Sequence, residues 1–515
     1  MAHESRLDVS RRRTGPAVAW LLAIAAIVAS PAPGQAGSMQ ELESKVQEFT
    51  LDNGLRFLIL EDHSAPVFSY ATCVDAGGVC EKTGITGIAH MFEHMAFKGT
   101  TTIGTTDYKK EQKAFDRIDE VWDAVLAERA KRFDADSTRL AELEAEFKAA
   151  IEDAQPYVVP NEFSRVLETN GVRGLNAFTG TDITCYIYSL PSNRLELWAR
   201  MEGDRLSQPA LREFYKERDV VRNERRIGTE STPSGRLFEA ALTTAFMAHP
   251  YGNGVIGHSS DIENFHRRDA WEFFNTYYVA SNMTVCLVGD VTVDDVKKYA
   301  KKYFSGVRAG GDPPPIHTTE PVHTAERRVL MEEDANPIAI IGYQGPASVD
   351  PDYAAMELLM EVLGGGRSSR LYERLVKEEQ VATQLFAGTG MPGEKYENLA
   401  VVYCMMAADR DPLEAERIIY EEIDRLIAEG PTPEEVDKVK AGYKARMLRQ
   451  LREPGRLAVA LASADQREGD WRYPFRQLDR IDAVTAEEIQ RMAAVRLVKE
   501  RRTVAMIVPE PEVES

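Results

Sequence analysis

Cysteine is scarce: the chain of 515 residues holds five, Cys73, Cys80, Cys185, Cys286 and Cys404. So few cannot scaffold so long a chain, and the odd count leaves at least one thiol unpaired within a monomer. Cys73 and Cys80 can pair if a turn separates them. Cys185 and Cys286 sit in apolar, strand-like runs and read as buried small hydrophobes. None of the five has the spacing of a metal site or a nucleophile. Positive charge is in deficit, with 62 Lys+Arg against 82 Asp+Glu and a formal net charge of -20. That balance excludes nucleic acid or an anionic membrane as the main partner, because phosphate repels a surplus of carboxylates.

Long apolar runs are missing too. The stretch Pro16 to Ser30, 15 residues, falls short of the roughly 20 that a membrane span needs. Basic residues Arg11, Arg12 and Arg13 precede it and Gly34-Gln35-Ala36 follows, the layout of a signal peptide cut after Ala36. The expectation is a periplasmic or secreted protein with no membrane attachment once the leader is gone. Residues 1–36 carry four Arg and two acids, so cleavage takes the formal charge to -22.

What is present is an ordinary globular composition, 43% hydrophobic, over a length that exceeds one core. An internal repeat explains the length. Residues 261–289 show a helical pattern and then a strand, and residues 480–508 do the same. Ile262 to Thr284 and Ile481 to Thr503 each span 22 positions. Between the halves lies Gly310-Gly311-Asp312-Pro313-Pro314-Pro315, a stiff linker. The division read from this is a signal peptide at 1–36, an N-terminal domain at 37–308, a linker at 309–325 and a homologous C-terminal domain at 326–515.

Each half reads as mixed α and β. Asp52-Asn53-Gly54 marks a hairpin inside Phe49–Leu60. Val67–Val74, Ile183–Leu190, Ile338–Tyr343 and Leu399–Met406 read as strands, and helices are expected at about 192–206 and 211–232. Thr432-Pro433-Glu434-Glu435 and Thr485-Ala486-Glu487-Glu488 are capping boxes. Strands grouped beside runs of helices point to an α+β fold rather than a doubly wound sheet. Residues 109–155, dense in charge with apolar residues at helical spacing, read as a helical hairpin inserted in the first half. Its turn is at Phe133–Ser137, with Asp136 or Ser137 as N-cap, and its simplest role is a solvated arm.

The chemistry concentrates in Gly87-Ile88-Ala89-His90-Met91-Phe92-Glu93-His94-Met95. On a helix, His90 and His94 lie about 40° apart around the axis and roughly 6 Å along it, so both imidazoles can grip one metal ion. Glu93 is near enough to reach a water on that ion. The order is HxxEH, the zincin motif inverted. A catalytic zinc needs a third protein ligand, and Glu217 and Glu224, seven apart and so on one face of a charged helix, are the candidates. Spacing does not choose between them, and a charged helix with two Glu is also what a solvated face looks like.

The stretch Asp75 to Thr100, DAGGVCEKTGITGIAHMFEHMAFKGT, resembles the pitrilysin/insulinase family of zinc metallopeptidases. So do Asn176-Ala177-Phe178-Thr179, His249-Pro250-Tyr251-Gly252 with Val255-Ile256-Gly257, and Gly364-Gly365-Gly366-Arg367-Ser368-Ser369-Arg370-Leu371. The likeness runs in order over nearly the whole mature chain. It implies two homologous α/β-sandwich domains of the mitochondrial-processing-peptidase type and one Zn2+ per chain. By the same resemblance His90, His94 and Glu224 match the zinc ligands, Glu93 the general base and Glu217 a supporting acid behind the ligands. Asn176, Ala177 and Phe178 match a strand edge that receives an extended peptide, although the same residues also suit an ordinary strand end.

Two departures stand out. His94 and Glu224 are 130 residues apart, longer than the family's spacing, and the inserted hairpin accounts for most of the excess. Where family members that hold substrate through their C-terminal half place an Arg and a Tyr, this chain has Val376 and Thr383, with Arg374 out of register. That resembles the metal-bearing chain of two-chain members, so a homologous partner subunit or a second copy is expected beside peptide substrates. The leading expectation is a zinc endopeptidase for extended or unfolded peptides, and the alternative is a non-catalytic assembly subunit of the same fold.

Overall fold

The computed structural model describes residues 39–509, and the leader with its cleavage site lies outside them. Two mixed sheets organise these residues. The first runs in the order β1 (Gln47–Thr50), β2 (Arg56–Glu61), β6 (Met283–Gly289), β3 (Val67–Val74), β5 (Thr184–Pro191), β4 (Arg173–Thr179). The second runs β7 (Arg327–Glu332), β11 (Arg502–Val508), β8 (Ile338–Gly345), β10 (Asn398–Met406), β9 (Ala382–Met391). The fold is α+β, as the sequence pattern implies.

The repeat is topological as well as sequential. β6 pairs parallel with β2 and antiparallel with β3, and β11 does the same with β7 and β8. The helix Arg267–Tyr277 and β6 reappear as Ala486–Arg496 and β11, each boundary 219 residues further on. The helices that begin at Phe214 and Pro433 keep the same offset, so the duplication extends well beyond residues 261–289. Residues 308–326 between the halves carry no helix or strand.

Both sheets are buried on two faces, and period-two alternation sorts the side chains between them. In the first sheet Phe57, Ile59, Phe68 and Tyr70 enter the large core under the helices of the same half. Leu58, Leu60, Ala71 and Cys286 face the other way, onto Leu457, Ala458, Leu461 and Ala462 of the helix Pro454–Arg467. The second sheet is treated reciprocally. Ile338, Ile340, Leu399 and Val401 pack against Leu237, Ala241 and Leu242 of the helix Pro233–Ala245. Each half therefore covers one face of the other's sheet, and each fully buried Leu in these layers contributes about 1.5–3 kcal/mol.

Local structure follows the sequence reading with three corrections. Cys73 pairs with Cys185, not with Cys80, because the antiparallel register of β3 and β5 sets those two residues directly opposite, Cα atoms 4.2 Å apart. Cys80 ends a short 3-10 turn and is a free thiol, while Cys286 is the buried small hydrophobe expected. The helix expected over 211–232 is shorter, Phe214–Arg225, and a π-helical turn Arg226–Glu230 follows it. Left-handed backbone at Leu211 and Glu213 delays its start, and Pro233, which requires extended backbone at Thr232, forces a new helix. Strands β4, β7 and β9 were missed by alternation because each lies at or near a sheet edge, where one or both faces are partly open.

The inserted hairpin is present as Tyr108–Arg129 and Ser137–Ala154, with Asp136 as the N-cap of its second helix. It is more than a solvated arm. Trp122 and Phe147 pack against Tyr215. Tyr215 donates to Asp119 at 2.9 Å, and the guanidinium of Arg218 lies 4.5 Å above the Trp122 ring. At the hairpin's base the buried Arg212 is bonded to Glu111 and to the carbonyls of Lys98, Thr100 and Ile103. The hairpin thus braces the helix Phe214–Arg225. No helix among the described residues is long and apolar enough to cross a membrane.

Candidate metal centre

The helix Ile88–Met95 starts where the chain cannot tolerate a side chain. Gly87 has φ 92°, and a Cβ there would stand 2.5 Å from the carbonyl oxygen of Ile256. A Cβ on Gly257 would meet the Thr86 carbonyl at 2.1 Å. The Val255-Ile256-Gly257 motif is therefore the surface against which the loop before the metal helix is pressed. Glu81, fully buried, accepts from the backbone N–H groups of Gly87 (2.7 Å) and Ala89 (2.8 Å). The two oxygens of this carboxyl group satisfy two donors left open at the helix start. Ile88, Met91, Phe92 and Met95 bury the helix in the core, which leaves His90, Glu93 and His94 on the opposite side.

His90, His94 and Glu224 converge. One ligand atom from each lies within 4.8 Å of the other two, with Glu224 Oε2 3.9 Å from His90 Nε2 and 3.6 Å from His94 Nε2. Ligands on a tetrahedral zinc stand roughly 3.3 Å apart, given metal–ligand bonds of about 2.0–2.1 Å. The cluster is wider than that, by up to about 1.5 Å. Two imidazoles and a carboxylate form a donor set that suits zinc, and Glu224 is 44% exposed, so the cluster opens to solvent on one side. Burial, aided by the neighbouring His94, pushes the His90 imidazole down to about 3, which keeps its lone pair available for a metal.

Glu217 takes the other role the resemblance implies. Its Oε1 lies 3.4 Å from His94 Nδ1, and Lys98 Nζ lies 2.5 Å from its second oxygen. Burial would raise this carboxyl, but the hydrogen bonds from His94 and Lys98 hold it below the usual carboxylate range. For His94 burial acts downward and is outweighed by Glu217 and the charges of Glu224 and Glu93, so the imidazole is raised. Glu93 is raised by burial, against the pull of hydrogen bonds from Thr179, whose hydroxyl donates to Glu93 Oε2 at 2.6 Å. Glu81, Lys98 and Thr179 lie inside the stretches that carry the resemblance, but nothing in their spacing gave them a role, and sequence reasoning assigned none to any of the three.

Asn176, Ala177 and Phe178 lie in β4, which ends the first sheet and, among the described residues, pairs with β5 alone. Asn176 is exposed, Ala177 buried and Phe178 half-buried. On the second half, Val376 packs at the margin of the core and Thr383 donates to the carbonyl of Met405. Arg374 is occupied by Glu421 and Glu422.

Comparison with known proteins bears on the same regions. The family profile "Insulinase (Peptidase family M16)" matches residues 56–116, and "Peptidase M16 inactive domain" matches 264–443. The solved protease from Helicobacter pylori superposes with a TM-score of 0.75 at 24% identity, covering 90% of this chain and 100% of that one. The fold is M16-like. Among curated relatives, the zinc protease PqqE of Helicobacter pylori is 26% identical over 79% of this chain and 80% of its own length. Cytochrome b-c1 complex subunit 1 of Bos taurus is 24% identical over 64% of this chain and 58% of its own. The relatives thus include both a named zinc protease and a named cytochrome b-c1 complex subunit.

Proposed function

We propose that the chain is a zinc-dependent endopeptidase acting on extended peptides. The observation that carries this reading is the convergence of His90, His94 and Glu224 within 4.8 Å, with Glu93 one residue before His94 held by Thr179. In this reading the three converging side chains hold one Zn2+ and Glu217 fixes the ring of His94 through Nδ1. Zinc bound there would polarise the scissile carbonyl and bring a water ligand's pKa down towards ~7. Glu93 takes a proton from the attacking water and delivers it to the leaving amine. The outer edge of β4, along Asn176, Ala177 and Phe178, receives the substrate as an added strand. Such backbone pairing recognises extended chains with little regard to sequence.

The competing reading, a non-catalytic subunit, is favoured by the match to an inactive domain. That match covers 264–443 and contains none of the four residues at issue, whereas the insulinase match spans His90, Glu93 and His94. The reading further includes the domain division at 309–325, export after loss of residues 1–36, and a partner subunit or second copy. The partner would supply the substrate-holding groups that Val376, Thr383 and the occupied Arg374 do not. Glu93→Gln separates the two functions. It should retain one zinc per chain, measured by metal analysis, and lose about 10²–10⁴-fold in peptide hydrolysis. Full hydrolysis in that variant would overturn the assignment.

A further inference from the structure

The last residue of β4 and the turn after it tie the general base to the other half of the molecule. Thr179 donates its hydroxyl to Glu93 Oε2. The turn that follows closes on itself, Gly180 N–H to the Ile183 carbonyl at 2.8 Å, and is gripped from both sides. From the first half, the N–H groups of Gly78 and Val79 donate to the carbonyls of Gly180 and Thr181. From the second half, the loop between β9 and β10 reaches across. The backbone N–H groups of Glu394 (2.7 Å) and Lys395 (3.0 Å) both donate to Asp182 Oδ2, and Thr181 donates to the Pro392 carbonyl. The other oxygen of Asp182 accepts from Tyr251 at 2.6 Å, and Asp182 is 5% exposed. The approach is close: a Cβ on Gly393 would stand 2.6 Å from both Asp182 Oδ2 and the Tyr251 oxygen.

Three donors on one buried carboxylate exceed what a hairpin turn requires, and two of them come from a chain segment more than 200 positions away. Resting on the peptidase reading above, we propose that Thr179 is the positioning residue for the Glu93 carboxylate and that Asp182 anchors it to the second half. A carboxylate poised for proton transfer is sensitive to placement, and a displacement of about 1 Å can cost ~10²-fold in rate. The second half thereby acts on the chemistry without contributing a side chain to the metal cluster.

The test compares Thr179→Val, Thr179→Ser, Asp182→Asn and the Val/Asn double variant in the zinc-loaded full chain with an extended peptide substrate. Thr179→Val keeps the branched shape and removes the donor. It should lower kcat about 10–100-fold with KM and zinc content unchanged, and Thr179→Ser should restore most of the loss. Asp182→Asn removes the charge and leaves one acceptor oxygen for three donors, and it should lower kcat in the same direction. If both act through one path, the double variant is no worse than Thr179→Val. Wild-type kcat in Thr179→Val, or losses that multiply in the double variant, would overturn the proposal. Where Asp182→Asn does not fold, Tyr251→Phe removes one of the three donors and takes its place in the cycle. Crystals of zinc-loaded Thr179→Val report the Glu93 carboxylate without turnover. A displaced carboxylate supports the tie even if no substrate is cleaved, and an unmoved one overturns it.

Discussion

The two halves share the strand order β2-β6-β3-β5-β4 and β7-β11-β8-β10-β9, and helices that recur at an offset of 219 residues, yet among the described residues only the first half gathers side chains that could hold a metal ion. At that offset Glu217 and Glu224 correspond to Val436 and Tyr443. The helix Tyr353–Gly364, which follows β8 as Ile88–Met95 follows β3, carries no histidine. It packs on Pro433–Arg452 as the metal helix packs on Phe214–Arg225. Where the first half gathers nitrogen and oxygen side chains, the second pairs Glu361 with Arg446 on the wall of an open cleft and sets Tyr443 against the core. The lesson is that the fold does not depend on the metal. A half built on the same plan stands on apolar layers and an ion pair, which frees the first half's cluster for chemistry.

The comparison breaks most visibly if the metal residues prove interchangeable between halves. His90→Ala, His94→Ala or Glu224→Ala should abolish zinc retention and reduce hydrolysis by at least about 10³-fold, since each removes one of three ligands. Glu361→Gln, at the corresponding helix of the second half, should leave the zinc stoichiometry at one. Zinc loss in Glu361→Gln, read by metal analysis of the folded protein, would show that the halves are not chemically separate.

The halves differ next in covalent cross-linking. The first sheet is stapled between β3 and β5 by Cys73–Cys185, which closes a loop of 112 residues. In the second sheet Cys404 faces Ala339 across the β10–β8 pair and is a free thiol. Replacing Cys73 and Cys185 by Ala should cost about 2–4 kcal/mol in denaturant unfolding, by release of that loop in the unfolded chain. Cys404→Ala should cost less, because it removes a sulfur and no cross-link.

Much of this contrast was legible in the sequence. HxxEH pointed to His90, Glu93 and His94 through helical geometry, and spacing put Glu217 and Glu224 on one face without choosing between them; the choice of Glu224 came from the family resemblance. The repeat was legible at Thr284 and Thr503 but only partly, since the strands and caps repeat while most side chains between them have diverged. The supports were not legible. Glu81 reaches the helix start through a loop whose path depends on Gly87 and Gly257 lying backbone to backbone. Thr179 meets Glu93 across 86 positions. The Cys73–Cys185 pair depended on strand register, which a single chain's alternation leaves free. What remains hidden is contact between segments that no local period connects.

A smaller effect probes the ligand's backing. Glu217 bonds His94 from behind, and the second half has Val436 at the matching place. Glu217→Gln should weaken zinc binding about 10–100-fold with the fold intact, measured by competition with a chromophoric chelator. An unchanged affinity would reduce Glu217 to a partner of Lys98.

The gentlest contrast lies in the buried carboxyls. Burial pushes Glu81 in the first half up to about 8, opposed by the N–H groups of Gly87 and Ala89, and Glu357 in the second up to about 7, opposed by the Gln477 amide. A folded pKa above the unfolded value means that the native chain keeps a proton the unfolded chain has lost. Stability is therefore fully present at low pH and declines as pH rises from about 4.5 to each folded pKa, by up to roughly 1.4 kcal/mol per pH unit for each group. Above pH 7 the decline owed to Glu357 is nearly complete, so the interval from 7 to 8 reports Glu81. Wild type and variants are compared in the same metal state, so that titration of the histidine cluster or of a metal-bound water cancels in the difference. Denaturant midpoints measured between pH 5 and 9 should lose the slope from 7 to 8 in Glu81→Gln. In Glu357→Gln they should keep that slope and flatten below pH 7. If Glu81→Gln retains the wild-type slope between 7 and 8, the Glu81 carboxyl is ionised throughout, and of the two buried carboxyls only Glu357 holds a proton above the ordinary range.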